Sequence, residues 1–506
     1  MNLPVKVVVL LLSLSLIICS SCKKDFLEVI PKGKQIAQTT ADYDLLMNGT
    51  LFYQYLQGGG WEVPVLMGDE IGAEQSFFVS AQPLVQRLFR WEDVIYQQPT
   101  EIANDLRTFL PNIYSCNQII NEVLNSKGGT DQQKRSIRAE AMATRAWVYF
   151  QLINFYAKPY HAATAASDPG FPIVLNDDVT QNSFPRGTVQ EGYDFMIRDL
   201  AAAIPDLPLQ NTFRTRMSKP AANALLGKVY LFMGKPDLAL PYFNAAFTEN
   251  AAATSPVRLY DYNLTFGPNG SFLPIGQNGP ASPKNIYNDF TESILAKTFS
   301  NSDANGSGGS SGPGGPVMSP GGPSGASNGT VITPETADLY GSTDLRLNFY
   351  TPTYVDGSPI PGGRLRKYGV SYSKFGVELS ELYLLRAECR ARLNDLTGAI
   401  SDVEALRKNR MPEGSKNVPA IVATDQTRLI KFIIDERIRE FAGEGYRWFD
   451  MRRLSVDPLF TGQIFTHKVY QESGSPIIYT LKQPERLVLK FPLYISEANP
   501  GMVNNP

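Results

Sequence analysis

The sequence predicts a mainly α fold, a scaffold of paired helices interrupted by a loop-rich irregular subdomain. Two observations carry that reading. Apolar residues recur at helical spacing near 40–56, 101–125, 133–157, 188–203, 218–233, 236–249, 377–393, 396–409, 426–442 and 444–454. Residues 250–375 break the pattern with many turn residues and little periodicity, so loops and short strands are expected there. The segment 133–157 is the clearest helix: Met142, Ala146, Tyr149, Ile153 and Tyr156 recur at spacings of four and three, which stacks them on one face.

At the N-terminus, Lys6 precedes an apolar run from Val7 to Ile18, then Cys19-Ser20-Ser21-Cys22 and the polar Lys23-Lys24-Asp25. A basic start, a short apolar core and small residues mark a secretory signal. The run is shorter than the roughly 20 apolar residues of a membrane-spanning helix. Ser20-Ser21-Cys22 resembles the lipobox of bacterial lipoproteins, in which the Cys becomes the acylated first residue; Cys19 stands where Leu is usual. Residues 1–21 are therefore expected to be a lipoprotein signal peptide and Cys22 the lipidation site. Each buried acyl methylene contributes about 0.8 kcal/mol, so several chains hold a protein on a membrane without spanning it.

Composition excludes several functions. A net charge of −2 leaves no basic excess for phosphates, so no nucleic-acid partner is expected. Beyond the lipobox only Cys116 and Cys389 remain, without a near neighbour, and both read as small buried hydrophobes rather than a disulfide or metal site. His161 and His467 are the only histidines, too few for a multi-His metal centre. No metal, cofactor or catalytic residue is predicted.

Within the first helical block, Leu226-Gly227-Lys228-Val229-Tyr230 matches the Leu-Gly-x-x-Tyr of a tetratricopeptide unit, and Gly234, Ala239, Phe243 and Ala246 fall at its required offsets. Small residues let two antiparallel helices approach, and Tyr230 and Phe243 are expected to fill the space between them. Pro236 suits a first helical turn, where its missing N–H costs nothing. A weaker copy runs from Tyr383 to Leu406, with Ala387 and Ala399 at the close-approach positions. Asn305 to Asn328 is almost entirely Gly, Ser and Pro, which reads as a surface loop.

Four blocks resemble one family. Arg138-Ala139-Glu140-Ala141 with Thr144-Arg145-Ala146-Trp147-Val148-Tyr149-Phe150-Gln151-Leu152 and Tyr156 forms the first, and Lys219-Pro220-Ala221-Ala222-Asn223-Ala224-Leu225-Leu226 the second. Glu381-Leu382-Tyr383-Leu384-Leu385-Arg386-Ala387-Glu388 is the third. The fourth joins Asp435-Glu436-Arg437, Glu440-Phe441, Glu444-Gly445 and Arg447-Trp448-Phe449-Asp450-Met451-Arg452-Arg453. With the tail Glu497-Ala498-Asn499-Pro500, these resemble the SusD/RagB family of outer-membrane nutrient-uptake lipoproteins. Ala157 stands where Gly is usual, and Tyr494 replaces the second proline of the closing Pro-x-Pro. The Gly-rich loop is not part of the family pattern.

The resemblance implies a SusD-like α-helical scaffold: residues 22–249 as an N-terminal region with tetratricopeptide-type repeats, 250–375 as a ligand-side subdomain including the loop 305–328, and 376–506 as the C-terminal SusD/RagB region. It implies a surface lipoprotein on the outer membrane, partnered with a SusC-like TonB-dependent transporter, that captures oligosaccharides for uptake. A peptide ligand, as in the RagB branch, is the alternative, and a lipid-anchored glycosidase a distant third.

The charges divide the same way. Glu436, Glu440 and Glu444 recur every four residues on one stripe, whereas glycoside hydrolysis needs carboxylates on opposite sides of a cleft. Ion pairing with Arg437, Arg439 and Arg447 is the expected role. Asp69-Glu70 and Asp177-Asp178 lack the ligand spacing of a calcium loop and read as solvated loop acids. Sugar capture favours flat aromatic faces in loops. Trp61, Trp91, Tyr260 and Tyr262 lie outside the strongest helices and are the candidate ligand-binding residues; Trp147 and Trp448 belong to the core. The anchor gives the first prediction: Cys22→Ala releases the protein from the membrane fraction or leaves an uncleaved precursor, read by fractionation and lipid labelling. Unchanged retention and labelling would remove Cys22 from that role.

Overall fold

A computed structural model describes residues 37–55, 61–178, 180–276, 279–282, 288–300, 329–368 and 372–506. The signal, Cys19, Cys22 and the Gly-rich loop lie outside the described residues. The fold is mainly helical, with helices α1 (Thr40–Met47), α2 (Asn104–Glu122), α3 (Asp131–Tyr156), α4 (Val189–Ala203), α5 (Lys219–Phe232), α6 (Pro236–Ala252), α7 (Leu379–Arg392), α8 (Leu396–Arg407), α9 (Gln426–Phe441) and α10 (Tyr446–Leu454). Their starts are chemically marked. Thr39, Thr130 and Thr188 each accept the third helical N–H while Asp42, Gln133 and Glu191 reach back to the cap, which satisfies two otherwise unpaired donors. No helix among the described residues is long and apolar enough to cross a membrane.

Helix α3 differs from its expected amphipathic form. Every residue from Ala139 to Tyr156 is buried, so it is wrapped on all sides. Helices α1, α2, α4 and α5 pack on it, and Arg452 of α10 donates to the carbonyl of Ala157 just past its end. Tyr55 stacks on Trp147 at 5.9 Å and on Phe299 at 4.5 Å, continuing an aromatic column through this core.

The two predicted helix hairpins share one turn. Met233-Gly234-Lys235 and Leu393-Asn394-Asp395 place a left-handed residue at the same station, Gly234 at φ 71° and Asn394 at φ 64°. Lys235 N–H reaches the Tyr230 carbonyl at 3.0 Å, and Asp395 N–H reaches that of Arg390 at 2.8 Å, closing both helix ends alike. Gly227 works as expected: a Cβ there would stand 2.7 Å from the Phe243 ring. Ala239, Phe243, Ala387 and Ala399 are fully buried. Tyr230 also meets the partner helix, at the rim of the contact: its half-buried ring stacks on Tyr242 of α6 at 5.7 Å.

Short strands bind the irregular region to both ends of the chain. Strand β1 (Gln54–Tyr55) runs parallel to β4 (Thr298–Ser300), which pairs antiparallel with β8 (Tyr372–Lys374). Strand β10 (Thr466–Tyr470) joins β11 (Ile477–Thr480) to β2 (Ile71–Glu74), and β2 pairs with β5 (Thr330–Ile332). Strand β3 (Ser293–Leu295) meets β9 (Val377–Glu378), and β6 (Tyr350–Thr351) meets β7 (Arg366–Lys367).

Buried ion pairs lock the C-terminal helices. Arg437 of α9 joins Asp450 of α10 at 2.7 Å and Glu381 of α7 at 3.3 Å, while Lys228 of α5 reaches Glu381 at 2.7 Å. Arg453 bridges Asp450 and Glu388 at 2.8 and 2.7 Å. Glu436 receives Arg346, Arg407 and Arg439 at 2.7, 2.7 and 2.8 Å. Glu440 takes Arg346 and Arg410, and Glu444 takes Lys367. Arg439 is the one of the three expected arginine partners that pairs within this stripe; Arg437 turns to Asp450 and Glu381, and Arg447 to Asp69 at 2.6 Å.

Two predictions follow from this packing. Ala239→Phe overpacks the α5–α6 contact and costs about 1–3 kcal/mol, read as a lowered melting temperature. The second concerns acid. Burial alone would raise the Glu436 carboxyl, but Arg346, Arg439 and Arg407 outweigh it and hold it at about 2. Glu388 and Asp450 are likewise held at about 2 by their arginines against the same burial. Because the folded values lie below the unfolded ones, this stability is full above the ordinary carboxylate range and is lost as pH falls through it towards 2. Glu436→Gln leaves three guanidinium groups undercompensated and costs about 3–5 kcal/mol at neutral pH, with a shallower acid limb in urea melts.

Candidate functional site

The aromatic residues expected at a ligand face are placed unequally. Trp61 is fully buried, tilted against Phe375 at 4.2 Å and stacked on Phe299 at 4.6 Å, with its indole N–H donating to the Glu444 carbonyl at 2.9 Å. Trp91 is buried with its ring flat on His467 at 3.8 Å and its N–H on the Met67 carbonyl. Tyr262 lies under the Arg410 guanidinium at 4.3 Å, among Phe266, Phe272 and Phe349. These three rings have no free face, which corrects the expectation for them: their apolar area is spent on packing. Tyr260 alone stays partly exposed.

The acid pairs divide as well. Asp177 accepts from the Asn121 side chain of α2 at 3.1 Å, and Asp178 accepts the Thr180 N–H of its own loop at 2.8 Å. Asp69-Glu70 is not a solvated loop. Asp69 pairs with Arg447, and Glu70 is buried, its carboxylate accepting the Gly443 N–H at 3.1 Å. Burial, followed by the neighbouring Asp69 charge, pushes the Glu70 carboxyl up to about 7. Cys116 and Cys389 are buried thiols, and Trp147 and Trp448 are core, as the sequence suggested.

An open cleft of about 850 Å³ lies elsewhere, and four separate segments build it. The end of α1 and the turn after it supply Asn48 and Tyr53. The α4–α5 connection supplies Thr212, Phe213, Arg214 and Thr215. Pro256 and Arg258 follow α6, and Asn288, Phe290 and Thr291 precede β3.

The walls are pinned by backbone bonds. The Tyr53 carbonyl accepts the Thr298 N–H at 2.8 Å as β1 enters its sheet, and the Arg214 carbonyl accepts the Ala296 N–H at 2.7 Å. The Arg214 guanidinium laces three strands of chain, donating to the carbonyls of Phe290, Thr291 and Ser255 at 2.8, 3.4 and 3.1 Å. Behind the floor, the ammonium of Lys297 donates to the Phe52 carbonyl, and burial pushes it down to about 7. Arg258 is held by its N–H on the Thr291 carbonyl, and its side chain lies over the Tyr260 ring at 5.9 Å. Tyr260 therefore backs the cleft rather than lining it, with its hydroxyl on Asp289 at 2.6 Å.

This surface offers aromatic faces from Tyr53, Phe213 and Phe290, amide and hydroxyl groups, and two guanidinium groups. Such a mixture covers apolar ring faces while pairing polar substituents. Sequence reading missed all of these residues because they come from four unrelated stretches. The one available signal was Thr212-Phe213-Arg214-Thr215-Arg216, an aromatic and basic run in a helix-to-helix link.

Comparison with known proteins gives concordant results. Residues 25–231 match a SusD-like family model described as starch-binding and associating with the outer membrane, and residues 378–506 match the SusD family model. A SusD-like protein P2 of Formosa agariphila is 25% identical over 378 residues, covering 69% of this chain and 71% of its own. A SusD superfamily protein from Bacteroides thetaiotaomicron superposes with a TM-score of 0.69 at 19% identity, over 92% of this chain and all of its own. A SusD-like carbohydrate-binding protein from Bacteroides vulgatus superposes with a TM-score of 0.64 at 16% identity, over 92% of this chain and 97% of its own.

Proposed function

The chain belongs to the SusD/RagB family, and from that premise we propose that it captures oligosaccharides at the cell surface and passes them to a SusC-like TonB-dependent transporter. It is a binding protein, not an enzyme, as its family is. Association with the outer membrane is the property of the matched family, and acylation of Cys22 is the proposed means of attachment.

The observation that carries the ligand reading is the open cleft itself. Tyr53, Phe213 and Phe290 present rings beside Asn48, Asn288, Thr212 and Thr291 in a volume of about 850 Å³. Sugar rings have weakly polar faces and hydroxyl edges, and this lining answers both. The family description and the carbohydrate-binding relative from Bacteroides vulgatus point the same way. The stripe of glutamates gives no opposing carboxylate pair, because Glu436, Glu440 and Glu444 are each engaged by buried cations.

Calorimetry against a glycan panel tests this. Phe213 is exposed, so Phe213→Ala leaves the fold intact and weakens glycan binding about tenfold, near 1.4 kcal/mol of lost contact. Phe290→Ala acts in the same direction, and mass spectrometry finds the glycan unaltered after prolonged incubation. Unchanged affinity in both variants, or binding of peptides alone, would overturn the reading.

A further inference from the structure

We propose that this cleft selects acidic oligosaccharides, chains bearing uronate or sulfate groups, through the guanidinium of Arg258 beside the fixed charge of Arg214. The proposal rests on the cleft being the glycan site.

Arg214 and Arg258 both line the cleft, and no Asp or Glu stands among its lining residues. Arg214 gives its donors to backbone carbonyls, so its charge is held at the wall without a carboxylate in contact. Arg258 is exposed, and among the described residues its guanidinium has no hydrogen-bonded or ion-paired carboxylate; it lies over the Tyr260 ring at 5.9 Å. Asp289 is near in sequence to the lining residues but is committed elsewhere, to the Tyr260 hydroxyl at 2.6 Å and the Thr291 N–H at 3.0 Å.

The contrast with Arg216, two residues from Arg214, is direct. Its guanidinium is clamped by Glu140 at 2.8 Å and Asp44 at 2.7 Å. Burial and then the positive charge of Arg258 lower the Arg214 pKa, outweighing the carboxylate of Glu378, which acts on it without a hydrogen bond or ion pair, so the two cleft arginines repel each other. A carboxylate or sulfate relieves that repulsion and accepts the paired N–H groups that a guanidinium presents in a plane. The whole molecule, at a net charge of −2, does not attract anions generally. The preference is local to the cleft.

The test is calorimetry on the purified full chain with four probes: heptagalacturonate, a sulfated carrageenan oligosaccharide, maltoheptaose and a polyglutamate peptide. Either acidic glycan binding at least about tenfold more tightly than maltoheptaose supports the proposal, and which one binds identifies the acidic group. Arg258→Gln weakens the acidic glycan about tenfold, Arg258→Lys restores part of the loss, and added salt weakens the wild type through screening. Maltoheptaose binding equally well, with Arg258→Gln without effect, overturns the charge preference while leaving the glycan reading standing. No glycan bound, or polyglutamate bound instead, overturns both.

Discussion

Burying charge is the constraint on which the rest of this structure depends. The segment from Glu436 to Arg453 places carboxylates and guanidinium groups where almost no water reaches them, and each must find a partner or lose its charge. Glu436 takes three arginines from three places: a turn near Arg346, the end of α8 and its own helix. Arg437 and Arg453 take theirs from α7 and α10. Replacing a whole buried pair by apolar groups of like shape is often nearly neutral, whereas removing one member is not. Such a network acts less as a source of net stability than as a penalty on every docking of these helices but one.

The same network reaches the cleft. Arg410 joins Glu440 to Glu292, and its remaining donor meets the Tyr260 carbonyl at 2.8 Å. Glu292 in turn accepts the Tyr260 N–H at 2.7 Å. Tyr260 stands behind Arg258 and Thr291, two lining residues of the cleft. The helical scaffold therefore sets the position of one cleft wall through charged groups as well as through packing. A site whose walls come from distant segments needs such external bracing, because no single element holds it.

What the sequence made legible follows from range. Helices announce themselves by a period of three to four residues, and the predicted segments correspond closely to α2 through α10, whereas the first, 40–56, is helical only to Met47 and ends in a tight turn and strand β1. The paired hairpins were legible because Gly227, Ala239 and Ala387 act through contacts at fixed offsets. The all-round burial of α3 was not, since periodicity reports a helix's own pattern and not how many neighbours surround it. Trp61 follows three glycines, which reads locally as an exposed loop, yet Phe299, Phe375 and Phe449 from remote segments close over it. Glu70 misled in the same way: its burial is made by chain more than three hundred residues away, at Gly443.

The cleft was the least legible feature, and its electrostatics show why. Arg214 and Arg216 are separated by one residue and look equivalent in the sequence. In the fold, burial opposes the charge on both, but Glu140 and Asp44 more than compensate Arg216 and raise its pKa. Arg214 has carbonyls for its donors, a second arginine beside it and only the non-contacting charge of Glu378 in opposition, and its pKa falls. A chain that is almost neutral overall thus holds one cation neutralised and its near neighbour without a paired carboxylate. The sign of a binding surface is set by which charges the scaffold has already paired, and that is a property of tertiary contacts rather than of composition.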